Sequence, residues 1–173
     1  MTYRNLTRQE KTLLKRALDR WGAYQALADK TFILQDNNGE HKIVCLLSSD
    51  LKSITIDAQP SLAGLAIGQL KKQFNPSMAG ADIFARLGRK NKYYVTVNEN
   101  AEKLVLYGRD VMGESIVSAS AELDENELVI LLNKREEAIG IGRTQFGGKK
   151  VLQKGRVTIA TLADAGYYLR DEG

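Results

Sequence analysis

The segment Gly142-Arg-Thr-Gln-Phe-Gly-Gly-Lys-Lys150 comes close to a phosphate-binding loop. Such a loop needs two glycines with four residues between them, then lysine, then serine or threonine, at the start of a helix whose N–H groups face the phosphates. Gly142 and Gly147 have that separation, but Gly148 stands where lysine should and Lys149 comes one place late. Lys150 and Val151 offer magnesium no hydroxyl, and the following "VLQKGRV" is too short and glycine-broken for the helix. Gly140-Ile-Gly142 starts like a dinucleotide fingerprint, yet it lacks the third glycine and the βαβ context. What the segment does carry is charge: Arg143, Lys149, Lys150, Lys154 and Arg156, with no acidic residue among them.

Other chemistry finds little support. Cys45 is the only cysteine and His41 the only histidine. On one expected strand they lie about 13 Å apart, too far for a thiolate–imidazolium pair. A single cysteine also excludes an internal disulfide and every multi-cysteine metal site. The carboxylates of "AELDENE" and "KREE" read as solvated loops rather than desolvated acid–base pairs. No nucleophile-elbow pattern occurs. Asp57 is the best-placed single residue for a base if the first half were catalytic. We expect no enzyme, no cofactor and no metal.

The elements that must position the basic residues can be read along the chain. Thr7 and Glu10 form a capping box, followed by Leu13, Leu14, Ala17, Leu18 and Trp21 at helical spacing. Arg8, Lys11 and Lys15 fall together away from that apolar face. "KTFILQ" and "HKIVCLL", joined by "DNNGE", predict a β-hairpin. "SITIDA" alternates as a third strand would, and a further strand is expected over 65–72. Asn75-Pro76 and Ser77 precede a second helix containing Ala79, Ile83, Phe84 and Leu87 and stopped by Gly88. "KYYVTV" reads as a strand and "NENAE" as a short linker, which places the domain junction between residues 97 and 98. Beyond it, "KLVLYG", "ESIVSA", "ELVILLN", "EAIGIGRTQ" and "RVTIATL" are strand-like, and "ADAGYYLRDEG" is expected to add a last strand and loop. Short strands with turn signals between them predict a small β-barrel or sandwich. The expected class is α+β: an N-terminal α/β domain over 1–97 and a C-terminal β-barrel over 98–173.

The charge is unevenly placed. Residues 1–97 hold 15 Lys/Arg against 8 Asp/Glu, and residues 98–173 hold 10 against 13. The run from Arg143 to Arg156 stands out within that acidic half, and clustered positive charge points to a polyanion. Phosphate contacts give salt-dependent affinity with little sequence information. Phe146 and Tyr107 are the aromatic residues placed to stack a base. No apolar run is long enough to span a membrane, and the N-terminus lacks an apolar signal core, so a cytoplasmic protein is expected.

"LYGRDVMGESI", then "EAIGIGRTQF", then "KGRVTIATLADAGYYLR" together resemble the PUA domain, a small RNA-binding β-barrel. In length and layout the whole chain is similar to the Nip-seven family of large-subunit ribosome biogenesis factors in its archaeal form. That resemblance implies an antiparallel sheet with flanking helices in the first domain and a PUA barrel in the second. It implies a non-catalytic factor in pre-rRNA processing that binds single-stranded, U- or AU-rich RNA through the PUA domain. Contact with the exosome or with pre-ribosomal proteins through the first domain is implied as well. We expect a monomer, nucleolar if the source is eukaryotic. The family's RNA surface maps to Gly108, Arg109, Val111, Arg143, Lys149, Lys150, Lys154 and Arg156. Two other readings stay open: an RNA-modifying enzyme targeted by a PUA domain, and a protein adaptor whose RNA contact is secondary.

Overall fold

In the computed structural model, which describes residues 1–170, the chain divides into two units, Met1–Gly80 and a second from Ala81 onward. In the first, strand β1 (Thr2–Arg4) leads to helix α1 (Arg8–Arg20). Both halves of the capping box form: the Glu10 N–H donates to Thr7 Oγ1 and the Thr7 N–H to Glu10 Oε2. A short helix α2 (Tyr24–Leu27) precedes the hairpin of β2 (Thr31–Asn37) and β3 (His41–Leu47). Asn38 and Gly39 supply the positive φ values of its turn, +52° and +83°. Helix α3 (Leu51–Ala58), β4 (Leu65–Leu70) and β5 (Phe74–Pro76) follow. The sheet order β1-β2-β3-β4-β5 is antiparallel throughout. Because side chains alternate across a strand, Ile33 and Cys45 share one face with Tyr3 and Leu47 and form a core cluster there.

"SITIDA" is helical, contrary to the strand expected from its alternation. Thr55 is the residue of α3 that is fully buried, and Ile54 stays exposed, so the apolar alternation does not report burial. Its C-cap, Gln59, is left-handed (φ +47°), and its side chain binds β1. The Tyr3 N–H donates to Gln59 Oε1 (2.6 Å) and Gln59 Nε2 donates to Tyr3 O (2.9 Å). The amide thus satisfies an open sheet edge as one residue of a strand would. Tertiary pairing overrides local β-propensity here.

Helix α4 (Met78–Leu87) carries the division between the units. Ser77 Oγ accepts from the Gly80 N–H, as its capping role requires. Strand β6 (Tyr94–Val97) belongs to the second sheet, where it lies between β9 and β8, with Val95 and Val97 fully buried. The junction expected at 97/98 therefore falls inside the second unit. "NENAE" is no linker, and "KLVLYG" is no strand. Together they form helix α5 (Glu99–Val105), because Asn98 accepts the Ala101 N–H and Ala101 and Val105, one turn apart, are buried.

The remaining strands are β7 (Val111–Met112), β8 (Ile116–Ser118), β9 (Leu128–Leu132), β10 (Ala138–Thr144) and β11 (Val157–Asp164). They form a curled, half-barrel sheet in the order β7-β11-β10-β9-β6-β8, with β6 and β9 parallel and every other pair antiparallel. Val105, Val111, Leu131, Val151 and Ile159 are among the residues that fill it. "NKREE" makes the β9–β10 turn: Asn133 Oδ1 accepts the Arg135 and Glu137 N–H groups. After β11 the chain forms a helical turn, α6 (Tyr167–Arg170), in place of the last strand expected, and Asp171–Gly173 lie outside the described residues.

Candidate nucleic-acid interface

Two groups of candidate residues flank the edge strand β7. The first is the turn after α5. Gly108 adopts φ +74°, its N–H donates to Val105 O (2.8 Å), and the Arg109 N–H donates to Leu104 O (2.9 Å). This is a Schellman ending, in which a left-handed residue satisfies the last carbonyls and reverses the chain. Asp110 and Arg109 then bind β11: the Thr161 N–H donates to Asp110 Oδ1 and the Thr161 hydroxyl to Arg109 O, both at 2.9 Å. Beneath the turn, Arg170 forms a bidentate pair with Asp164 (2.9 and 3.0 Å) and also donates to Leu106 O. The backbone is held on both sides while the Arg109 side chain is exposed. Tyr107 beside it is 71% exposed.

The second group is the connection from β10 to β11. Its middle is a 3₁₀ turn, Gly148–Leu152, anchored by the fully buried Val151 and by the Gly148 N–H bound to Leu123 O. Lys149 and Lys150 project from this anchored turn into solvent, as do Lys154 and Arg156 beyond it. Gly155 donates to Glu114 Oε2, and the Arg156 carbonyl accepts the Gly113 N–H. The Arg156 guanidinium lies 4.5 Å from the centroid of the half-buried Phe146 ring.

Register fixes the relation between the groups. Val111 pairs with Ile159 and Met112 with Val157, so Arg109 lies beside Thr161 at one end of β7 and Gly113 beside Arg156 at the other. Four residue steps of extended chain separate Arg109 from Gly113, about 13 Å at strand rise. Val157 and Leu162 of β11, 41% and 55% exposed, add apolar surface. The exposed Arg109 and Tyr107 thus lie toward one end of β7, and Arg156 with Phe146 toward the other.

Two of the expected residues are less exposed than the others. The Val111 side chain is 1% exposed and belongs to the core, so it cannot touch a ligand. Arg143 is half-buried, and its Nη1 donates to Asn126 O (3.0 Å), which ties β10 to the preceding loop. Gly140 and Gly142 have a packing role. A Cβ on Gly142 would stand 2.5 Å from Ile159 Cγ2, and one on Gly140 2.8 Å from Val105 Cγ1. Reading the sequence missed the latch of Asp110 on Thr161 and the Asp164–Arg170 pair, although all four lie in or beside the stretches that carry the resemblance.

The residues considered for catalysis are dispersed. Asp57 is exposed on α3, and Cys45 is buried, which pushes its thiol above the ordinary value. Among the described residues no group of three or more His, Cys, Asp or Glu side chains is placed to hold a metal ion, and no helix is long and apolar enough to cross a membrane.

Residues 3–78 match the NIP7/UPF0113 pre-PUA domain model, and residues 93–173 match the UPF0113 PUA domain model. A UPF0113 protein of Archaeoglobus fulgidus is 31% identical over 99% of this chain and 97% of its own. The fold is similar to a conserved PUA domain protein from Thermoplasma acidophilum (TM-score 0.69, 14% identity, 99% of each chain). It is also similar to a hypothetical protein of Pyrococcus horikoshii (TM-score 0.67, 15% identity, 94% of each chain). At these identities the solved structures speak for the fold alone, whereas the family models and the Archaeoglobus relative cover nearly the whole sequence. This chain belongs to the NIP7/UPF0113 family, with a pre-PUA domain followed by a PUA domain.

Proposed function

We propose that this protein is a non-catalytic RNA-binding factor of ribosome biogenesis, acting in pre-rRNA processing and large-subunit assembly. Its family supports a general RNA-binding role related to ribosome biogenesis. The observation that carries the finer reading is the exposure of Lys149, Lys150, Lys154 and Arg156 on an anchored connection next to the edge strand β7. At the other end of that strand stands the turn of Gly108 and Arg109. Such a surface suits a single strand, whose phosphates follow the cations while unstacked bases lie on apolar and aromatic groups. Arg143 shapes the surface from below through Asn126, and Val111 acts only by packing.

In this reading the RNA is pre-rRNA, single-stranded and rich in U or A and U. The pre-PUA unit meets the exosome or pre-ribosomal proteins, and the protein works as a cytoplasmic monomer. Crosslinking to total cellular RNA, with sequencing of the RNA and mapping of the crosslinked peptides, tests it. U- or AU-rich pre-rRNA segments should be recovered on peptides from 107–112 and 143–156. Crosslinks spread over all transcripts and all surfaces would overturn it. Mass spectrometry of RNA incubated with the protein and common cofactors should show no modified nucleotide.

A further inference from the structure

The first unit contains a pocket that the PUA surface does not account for. Its volume is about 410 Å³, and its floor is made by buried leucines of α1 and α2 together with Phe32 of β2. Lys11 and Lys15 of α1, Lys30 before β2 and Lys52 of α3 surround it. The Lys15 ammonium lies 4.9 Å from the centroid of the Tyr24 ring, another wall of the pocket. No aspartate or glutamate lines it.

Three of the four lysines lack a carboxylate partner among the described residues. Lys11, Lys15 and Lys52 have no carboxylate partner among the described residues, and Lys30 reaches only the exposed Asp29, at 3.5 Å. Elsewhere in the same unit Arg4 and Lys42 are both paired to Glu10. Four like charges around one depression repel each other, and an external anion relieves that repulsion. The apolar floor adds a second requirement. The occupant must present a flat or apolar group to Phe32 and Tyr24 and negative charge to the rim.

We infer that this pocket holds one unstacked nucleotide of a single-stranded RNA, with its base between the Phe32 floor and the Tyr24 wall and its flanking phosphates on the lysines. The size is right for one group of small-ligand dimensions. An amphipathic helix from a partner would instead need a groove long enough for anchors at i, i+3, i+4 and i+7. The cations approach from several elements around the depression, which suits a backbone charged on both sides of the base. Lysine serves phosphate as a point charge and needs no bidentate geometry. With few polar groups on the floor, the pocket has little means of reading base identity, so its contribution is affinity through stacking and charge. The inference extends the RNA-binding reading above to a second site, and the two are separable by experiment.

The full chain is bound to a 12-mer oligouridylate carrying 4-thiouridine, and crosslinked peptides are mapped. Affinity is measured for the wild type, for Lys11→Gln/Lys15→Gln/Lys52→Gln, and for Lys149→Gln/Lys150→Gln/Lys154→Gln/Arg156→Gln. Circular dichroism verifies the fold of each variant. The expected results are crosslinks at Tyr24 or Phe32, an affinity loss of about tenfold in the first variant, and a salt slope shallower by about two, from three lost contacts at roughly 0.7 each. Crosslinks confined to the second unit, with first-variant affinity within twofold of wild type, would overturn the inference and leave the PUA reading standing. Loss in the first variant alone would do the reverse. An acidic, leucine-containing peptide that binds wild type but not the first variant, while RNA affinity stays unchanged, would assign the pocket to a protein and also overturn it.

Discussion

The Arg156 guanidinium carbon lies 4.5 Å from the centroid of the Phe146 ring, with Nη1 3.4 Å from Gln153 Oε1. The ring therefore holds a flexible cation at a fixed place on the exposed connection, while part of the ring remains open to solvent. Replacing Phe146 with alanine should weaken single-stranded RNA binding by about fivefold or more, through lost stacking and a less ordered Arg156. Fluorescence anisotropy with labelled oligouridylate measures this, and circular dichroism verifies that the sheet persists. Unchanged affinity would remove Phe146 from the interface.

Gly113 controls where that connection sits. Its N–H donates to Arg156 O, and a Cβ at this position would run into the Gln153 carbonyl oxygen. The obstacle is backbone, so it cannot rotate away as a side-chain tip could. Gly113→Val should destabilise the second unit by about 2 kcal/mol or more, within the range for overpacking. Hydrogen exchange of peptides covering 148–159 should accelerate, and RNA affinity should fall with it. Faster exchange without any loss of affinity would separate this packing from binding.

In the first unit, Glu10 links α1 to the sheet. It is 7% exposed, accepts from Arg4 at 2.8 and 2.9 Å and from Lys42 at 3.0 Å, and closes the capping box. The Arg4 guanidinium, chiefly, holds its carboxyl well below the ordinary range against the opposing effect of burial, with help from the Thr7 N–H and Lys42. Asp36 is lowered too, by the Gly39 N–H and Arg4. A carboxylate lowered by folding adds stability that is complete above its unfolded value, about 4.3 for glutamate, and is lost as pH falls below it. Unfolding followed by Trp21, which is 1% exposed, should show stability dropping from pH 5 to pH 3. Glu10→Gln should cost about 2 kcal/mol at pH 7, toward the low end because Arg4 is partly solvated, and should lessen the acid drop. Parallel pH curves for the two proteins would contradict this.

Much of the fold is written locally. Thr7 with Glu10, Asn38-Gly39 between two β-branched runs, and Ser77 before a helical spacing each specify an element through contacts within a few residues. "SITIDA" and "KLVLYG" misled because their state is decided by distant partners: Gln59 bound to β1, and Ala101 and Val105 buried against the second sheet. The binding surface divides the same way. Lys149, Lys150, Lys154 and Arg156 are neighbours in sequence, so their shared exposure could be anticipated. Arg143 is captured by Asn126, 17 residues away, and Val111 is fixed by pairing with Ile159, and no local pattern signals either. The pocket lysines come from separate elements, so periodicity linked only Lys11 with Lys15.

Salt dependence of RNA binding tests the central claim most directly. Log affinity for a single-stranded oligonucleotide should fall linearly with log salt, at a slope of about −0.7 for each phosphate contacted. Replacing Lys149, Lys150, Lys154 and Arg156 together with glutamine should make that slope shallower by about three and weaken binding severely at low salt. A flat salt dependence in the wild type, or the same affinity and slope in the fourfold variant, would contradict the assignment of this connection as the grip on the RNA backbone.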